Sequence, residues 1–202
     1  MLKLTNNDKE YIENLYKTFL SNLKYLFEKN NIKSAIDCYR ILSSMLRQGL
    51  FSSEGTISFD TDFNYLSLPN IDYIGIQVMY GVCCCRHVNS FINDIMSLLG
   101  FNASLYYICI DNDGNYHPCT PINANHVTIL LTENSSEYIL DPMNNFLLIK
   151  EADNSLTSLD LNTFSLDIKE FLLFSDDNVQ CISKVLKKYY HLHSIGINHV
   201  YY

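Results

Sequence analysis

Three separated stretches of the chain carry side chains that could together perform nucleophilic chemistry. The first holds three consecutive cysteines, Cys83 to Cys85, followed by Arg86 and His87. His126 opens the second stretch, and Asp141 closes the third. A thiol nucleophile, an imidazole base and a carboxylate that orients the base are the parts of a site for acyl transfer through a covalent thioester.

The predicted position of Cys85 favours a reactive thiol. An ordinary cysteine is a poor nucleophile at neutral pH because its pKa is about 8.5. Cys85 follows Gly81, which breaks the preceding segment, and falls in the first turn of a predicted helix. There, unpaired backbone N–H groups and the helix dipole stabilise a thiolate, so we expect a lowered pKa for Cys85. The same N–H groups could bind the oxyanion that forms on a carbonyl substrate.

His126 and Asp141 are expected to meet at one end of a sheet. His126 starts the apolar strand that runs to Leu131, and Asp141 ends the strand after it. In two adjacent antiparallel strands, the start of one lies beside the end of the other. The carboxylate could then accept the imidazole N–H and set its tautomer. His87 is the rival base, but nearby helix positions point in different directions, so it cannot readily face Cys85.

We expect neither a metal site nor a cofactor. The cysteine run with His87 lacks the spaced cysteine pairs of tetrahedral zinc sites. The turn at 111–115 resembles a calcium loop. However, Gly114 comes too early in it, and Ile122 stands where the bidentate glutamate should be.

These side chains must be positioned by a mixture of helices and strands. Apolar residues recur at helical spacing before and after the cysteines, and a period-two pattern follows Gly100. The order predicts an α+β fold in which a buried catalytic helix packs on an antiparallel sheet. The apolar pattern of residues 71–80 does not distinguish a strand from a helix. Predicted helices span 8–29, 32–48, 85–99, 167–174 and 178–191, and predicted strands span 103–110, 126–132, 137–141 and 145–150, with further short strands near 56–59 and 156–160.

The first two helices are expected to form a hairpin. We therefore divide the chain into a helical N-terminal extension, residues 1–50, packed on a catalytic domain formed by residues 51–202.

Charge and composition narrow the choice of partner. The net charge is −8, and residues 51–149 carry one basic residue, Arg86, against ten acidic ones. Phosphate binding needs clustered Lys and Arg, so nucleic acid is not an expected partner. A neutral or cationic substrate fits this region better.

The remaining composition points to a reducing compartment. The chain has seven cysteines, an odd number, and neighbouring cysteines rarely pair with each other. The first ten residues lack the apolar segment of a secretory signal, and no apolar stretch approaches the ~18 residues of a membrane span. We expect a cytoplasmic protein with free thiols and no membrane partner.

Three motifs in the order described resemble the transglutaminase-like branch of the papain-like superfamily. Cys85–His87 is similar to the family's Gly-x-Cys-Arg/Gln-Asp, and Leu99–Phe101 to its Leu-Gly helix end. His126 stands where the family has His-Ala-Trp, and Asp141–Asn145 matches Asp-Pro-Thr-Asn-Asn with one change. The resemblance covers about residues 81–146. Cys85 has the family's spacing to the Leu-Gly pair, whereas Cys83 and Cys84 do not.

The resemblance implies a Cys85–His126–Asp141 triad and a papain-like core. It also implies that Gln77 could donate to the oxyanion, as a glutamine does in papain-like enzymes. The substrate would be a peptide, a protein or another carboxamide. The thioester would be resolved by water, as in a protease or amidase, or by an amine, as in a transglutaminase. Hydrolysis is the preferred expectation.

The chain departs from the family's pattern at two points, and two other functional hypotheses remain open. Residue 87 is a histidine where the family usually has a carboxylate, and the chain has no tryptophan. The segment from Cys85 to Asn89 also resembles arylamine N-acetyltransferases, which use the same triad with acetyl-CoA. A non-catalytic interaction module on the same fold is the third hypothesis. The residues do not indicate an oligomeric state.

Overall fold

The computed structural model describes residues 4–60, 71–159 and 176–197, which form an α+β fold. Four α-helices and a 3₁₀ helix accompany a six-stranded sheet and a small two-stranded one within those ranges. The helices are α1 (Asn6–Lys29), α2 (Ala35–Arg47), the 3₁₀ helix (Ile74–Tyr80), α3 (Cys85–Leu98) and α4 (Asp177–Ile197). The strands are β1 (Ser58–Phe59), β2 (Val82–Cys83), β3 (Asn102–Ile110), β4 (Tyr116–Pro118), β5 (His126–Glu133), β6 (Ser136–Asp141), β7 (Phe146–Lys150) and β8 (Leu156–Ser158).

Most of the elements predicted from periodicity are confirmed. The two N-terminal helices, the catalytic helix and the four main strands begin and end within a few residues of their predicted bounds. The ambiguous segment 71–80 contains the 3₁₀ helix, and β4 was not predicted. The predicted helix at 167–174 lies outside the described residues. The last predicted helix is longer than expected, since α4 ends at Ile197.

The large sheet has the strand order β4-β3-β5-β6-β7-β8, and every neighbouring pair is antiparallel. His126 lies opposite Ile108 of β3, and Ile129 lies opposite Leu140 of β6. His126 is thus the first residue of β5, and Asp141 is the last of β6. The two residues lie at the same end of the sheet, as the strand pattern predicted.

One hydrophobic core joins the helices to one face of the sheet. α3 is central because Val88, Phe91, Ile92 and Ile95 are fully buried there. Residues of α1, α2, α4 and the sheet belong to the same cluster, so α1 and α2 share the core of the rest of the chain. The boundary at residue 50 therefore remains a prediction. A second, smaller cluster on the opposite face of the sheet contains Ile108, Ile139 and Leu148.

The segment before α3 determines where the cysteines lie. The 3₁₀ helix packs against α3 so closely that a Cβ on Gly75 would be 2.7 Å from the Cα of Phe91. Gly81 then adopts φ = 89°, a left-handed conformation that favours glycine. This turn directs the chain into β2, which pairs in parallel with β1. Helix α3 starts two residues after Cys83.

None of the helices among the described residues is both long and apolar enough to span a membrane.

Candidate active site

The three consecutive cysteines occupy three different environments. Cys83 belongs to β2 and is fully buried, and this burial raises its pKa to about 12. Cys84 is the N-cap of α3 and is 2% exposed. Cys85 is the first residue of the helix and is partly exposed. All seven cysteines of the chain lie in the described ranges, and none forms a disulfide.

His87 supports the start of α3. Its Nδ1 atom accepts a hydrogen bond from the backbone N–H of Cys84 at 3.1 Å and lies 3.4 Å from the Cys84 sulfur. Since Nδ1 accepts the N–H, the ring carries its proton on Nε2. This arrangement is a capping-box contact, with the third helical residue reaching back to the N-cap. The structure therefore places His87 against Cys84, and the ring is buried.

The first turn of α3 is bound directly to β5 beside His126. The backbone N–H of Val127 opposes the rise in the pKa of Cys85 that the Cys84 thiol and burial cause. Asn89, one turn later, donates from Nδ2 to the carbonyls of Cys85 and Val127, at 2.8 Å in each case. Asn89 is fully buried, so its amide replaces water as the partner of both carbonyls. These contacts hold the backbone of Cys85 next to the residue that follows the predicted base.

The two adjacent thiols at the helix start influence each other's acidity. The Cys85 thiol is the main influence that lowers the pKa of Cys84, and His87 and the backbone N–H of Arg86 add to it. The Cys84 thiol, together with burial, raises the pKa of Cys85, while the backbone N–H groups of Val127 and Arg86 oppose that rise. The first proton therefore leaves the pair and not one named thiol, so the lowered pKa expected for Cys85 stays a prediction.

His126 and Asp141 are in contact, as the sequence predicted. The imidazole Nε2 lies 2.7 Å from Asp141 Oδ2, and both side chains are buried. Asn125 holds the chain in place just before His126, because its side chain makes two 2.8 Å hydrogen bonds with the backbone of Ile110. The Asp141 contact occupies Nε2, so Nδ1 is the ring nitrogen left to exchange a proton with a thiol or a leaving group.

Asp141 is held as a carboxylate by several donors. Besides His126, Oδ2 accepts from the Tyr116 hydroxyl at 2.6 Å and from Asn144 Nδ2 at 2.9 Å. Oδ1 accepts from the backbone N–H groups of Met143 at 3.2 Å and Asn144 at 3.3 Å. Burial opposes ionisation, but His126, Tyr116 and Asn144 together keep the pKa of Asp141 below its ordinary value. The charged oxygen can therefore orient the imidazole.

Tyr116 is a site residue that the sequence reasoning missed. It belongs to β4, and its ring meets His126 edge-on with centroids 6.3 Å apart. Phe146 also meets this ring edge-on, at a centroid distance of 5.6 Å. The available signal was the turn at 111–115, because a tight turn after a strand predicts a returning strand. Asp111 caps that turn by accepting from the backbone of Asp113 and Asn115.

Gln77 lies inside the fold, in the 3₁₀ helix. Its Nε2 donates to the carbonyl of Val82 at 3.1 Å, and its Oε1 accepts from the Tyr190 hydroxyl. The amide thus connects the segment before the cysteines to α4. Its role as an oxyanion donor stays a prediction.

Across the ranges that the structure covers, no cluster of three or more His, Cys, Asp or Glu side chains is arranged to hold a metal ion.

Comparisons with known proteins do not assign the chain to a family. No protein-family model and no curated protein matches it. One solved structure that resembles the fold is arylamine N-acetyltransferase C from Bacillus anthracis. It is 16% identical, with a TM-score of 0.39, and the match covers 80% of this chain and 75% of that one.

Proposed function

We propose that the protein is a transglutaminase-like cysteine enzyme with a papain-like core, which acts through a thioester on Cys85. His126 is the proposed base and acid, and Asp141 is the residue that orients it. The observation that carries the proposal is the 2.7 Å contact between His126 and Asp141, at the sheet end where α3 begins. Asn89 donates to the carbonyls of both Cys85 and Val127, which supports the placement of the first turn of α3 beside this pair.

The proposed reaction starts with the transfer of the Cys85 proton to His126. The thiolate attacks the carbonyl carbon of an amide, and a tetrahedral oxyanion forms. His126 then protonates the nitrogen as the carbon–nitrogen bond breaks, so an amine leaves and a thioester remains. Water attacks the thioester while His126 takes its proton. The products are a carboxylic acid and the restored thiol.

Among the three cysteines, Cys85 fits the nucleophile best. Cys83 is fully buried, and Cys84 is 2% exposed, so a substrate carbonyl would not reach either sulfur without rearrangement. Cys85 is partly exposed, and Asn89 links its carbonyl to that of Val127 in β5.

The proposed substrate is a peptide, protein or other carboxamide that is neutral or positively charged. Residues 51–149 contain ten acidic side chains and one basic side chain, so a cationic substrate would be attracted and an anionic one repelled. Water is the proposed acceptor of the acyl group. Residues 51–202 are proposed as the catalytic domain, with residues 1–50 as a helical extension packed on it.

Selective alkylation tests the triad. Iodoacetamide should label Cys85 faster than the other six cysteines in the native protein, as read by peptide mass spectrometry. His126→Ala should slow labelling of Cys85 by about 10²-fold, because the group that removes the thiol proton is lost. His117→Ala is the matched control, since His117 is exposed and pairs with Asp111 at 2.8 Å, outside the triad. It should leave the rate unchanged.

Other labelling patterns would point to other conclusions. Labelling of Cys84 in place of Cys85 would move the nucleophile by one residue. Equally slow labelling of all seven cysteines would contradict the triad and leave a non-catalytic module as the better hypothesis. An arylamine-type acyltransferase would bind CoA, so calorimetry with CoA separates that alternative from the proposed hydrolase, for which no binding is expected.

A further inference from the structure

The side chain of Asn89 joins the residue that carries the proposed nucleophile to the strand that carries the proposed base. Its Nδ2 donates to the carbonyl of Cys85 and to that of Val127, at 2.8 Å in each case. Cys85 lies one turn earlier in α3, and Val127 directly follows His126 in β5. The amide group therefore uses its two N–H donors on two different elements.

In the described sheet, strand pairing holds the start of β5 on one side only. His126 and Val127 are paired with residues of β3, whereas the pairing with β6 begins two residues later, at Ile129. Asn125 adds to the β3 side, because its side chain makes two hydrogen bonds with the backbone of that strand. The bond from Asn89 to Val127 supplies a second anchor, on α3. The backbone that carries the imidazole is thus held both before and after His126.

The oxygen of the same amide indicates that Asn89 does more than fill space in the core. Asn89 is fully buried, and its Oδ1 has no hydrogen-bond partner among the described residues. A buried polar atom without a partner costs stability, and an apolar side chain would avoid this cost. The group that explains an amide at this position is therefore its donor nitrogen. Its orientation follows from its partners, since both are carbonyls and can only accept.

We propose that Asn89 is a positioning residue, which sets the separation between the Cys85 thiol and the His126 imidazole for proton transfer. This role rests on the proposed function of Cys85 and His126. Proton transfer from sulfur to nitrogen requires the two atoms to come within hydrogen-bonding reach, and a misplacement of about 1 Å can slow a reaction about 10²-fold. Because one amide nitrogen binds the carbonyls of Cys85 and Val127, the first turn of α3 cannot move away from the start of β5 without breaking a buried hydrogen bond.

The experiment measures the rate at which iodoacetamide labels Cys85 in the full-length protein, by peptide mass spectrometry at two pH values. Asn89→Ala should slow this labelling about tenfold at about pH 6.5, because His126 no longer lies where it removes the thiol proton efficiently. At about pH 9.5 the difference should nearly vanish, since hydroxide from solution then ionises the thiol. Asn93→Ala is the matched control, because Asn93 lies one turn later in α3 and its Oδ1 is also buried and unpartnered within the described part of the chain. It should label as the wild type does at both pH values.

A double variant separates positioning from a general loss of structure. Since Asn89 acts through His126, adding Asn89→Ala to His126→Ala should slow the labelling of Cys85 no further than His126→Ala alone does. Cys38 and Cys83 are fully buried, so their labelling should stay slow in every variant that folds. If Asn89→Ala exposes them, Asn89→Asp is the second variant. It keeps the shape of the side chain, its carboxylate cannot donate to the two carbonyls, and the same tenfold loss is expected.

Three results would overturn the proposal. They are a wild-type labelling rate of Cys85 in a folded Asn89 variant, an equal loss at both pH values, and additive slowing in the double variant. His126→Ala alone reports on the proposed function. If it leaves the labelling of Cys85 unchanged, the triad fails and the positioning role fails with it. If it slows the labelling and the Asn89 variants do not, only the positioning role fails.

Discussion

The charge and the position of the Asp141 carboxylate are fixed by the groups around it. Its two oxygens accept from His126, Tyr116, Asn144 and the turn that follows β6. A buried carboxylate is costly unless its hydrogen-bonding capacity is filled, and here three side chains and two backbone groups fill it. The charge is therefore retained inside the protein, at the position from which it can orient the imidazole.

Tyr116→Phe tests the contribution of the donor that the sequence did not reveal. Removing the hydroxyl takes one hydrogen bond from a buried charge, so the free energy of unfolding should fall by about 1–3 kcal/mol. His126 should also be held less firmly, and we expect the iodoacetamide labelling rate of Cys85 to fall several-fold. Urea unfolding and the alkylation assay measure the two effects.

The matched control for this substitution is Tyr107→Phe. Tyr107 is a tyrosine of the neighbouring strand β3, 42% exposed, so its hydroxyl has water as a replacement partner. Tyr107→Phe should change neither the free energy of unfolding nor the labelling rate of Cys85. Equal effects of the two substitutions would show that Tyr116 acts through general packing and has no specific role at Asp141.

At the scale of elements, the site depends on how the 3₁₀ helix and α1 hold α3. A Cβ on Gly75 would lie 2.7 Å from both the Phe91 backbone and the Tyr16 hydroxyl. Only a residue without a side chain permits this approach of the 3₁₀ helix to α3. The approach in turn places Gly81, β2 and the cysteine run at the start of α3.

Gly75→Ala should therefore force the 3₁₀ helix away from α3. We expect a loss of about 1–3 kcal/mol in the free energy of unfolding, because overpacking displaces the backbone. Ser97→Ala, an exposed position of α3, is the control and should stay within about 0.5 kcal/mol of the wild type. The measurement is chemical denaturation followed by circular dichroism, and equal effects would contradict the close packing.

A pair formed by the fully buried Tyr16 and the partly buried Asp94 links α1 to α3 and gives the fold a pH dependence. The Tyr16 hydroxyl donates to Asp94 Oδ2 at 3.0 Å, and burial raises the pKa of Asp94 to about 6. The folded chain therefore binds this proton more tightly than the unfolded chain does. The contribution of Asp94 to the free energy of unfolding is fully present below about pH 4 and is lost as the pH rises through about 6.

Asp94→Asn should remove this fall in the free energy of unfolding with rising pH. The amide oxygen still accepts from Tyr16 while no charge is buried, so the free energy of unfolding at pH 7 should rise by on the order of 2 kcal/mol. At pH 4 the difference from the wild type should nearly vanish. Asp72→Asn is the control, because its carboxylate is 76% exposed and should matter little at either pH. An equal gain at both pH values would exclude ionisation as the cause.

The whole molecule is organised around one core to which the N-terminal helices contribute heavily. Phe19 of α1 packs against Phe51 and Phe91 at centroid distances of 6.0 and 5.9 Å. Five large side chains of α1 are fully buried, namely Ile12, Tyr16, Phe19, Leu23 and Phe27. Each such side chain contributes about 1.5–3 kcal/mol, and together they match the net stability of a typical domain, about 5–15 kcal/mol.

A chain that starts at residue 51 should therefore not fold by itself. We expect no cooperative thermal transition and strong binding of the dye ANS, because the face of α3 that meets α1 becomes exposed. The control is the full chain with Tyr11→Ser and Tyr25→Ser, which change two exposed residues of α1 and should leave the transition intact. A shortened chain with a cooperative transition would instead support residues 1–50 as a separable extension.

Much of the architecture could be predicted from the sequence because it follows from local periodicity. Helical spacing of apolar residues located α1, α2 and α3, and period-two runs located β3, β5, β6 and β7. The positions of His126 and Asp141 followed from antiparallel geometry, which needs only the order of two strands. The 3₁₀ helix was not predicted, since its apolar pattern is compatible with several conformations.

The sequence by itself determined the α+β pattern and the meeting of His126 with Asp141. Tertiary structure decided how far each cysteine is exposed, since Cys83 is fully buried, Cys84 is 2% exposed and Cys85 is partly exposed. It also brought Tyr116 to the carboxylate. The physical reason is that consecutive residues share a local pattern but point in different directions. Their roles depend on the residue at which α3 begins and on what the rest of the chain packs against each side.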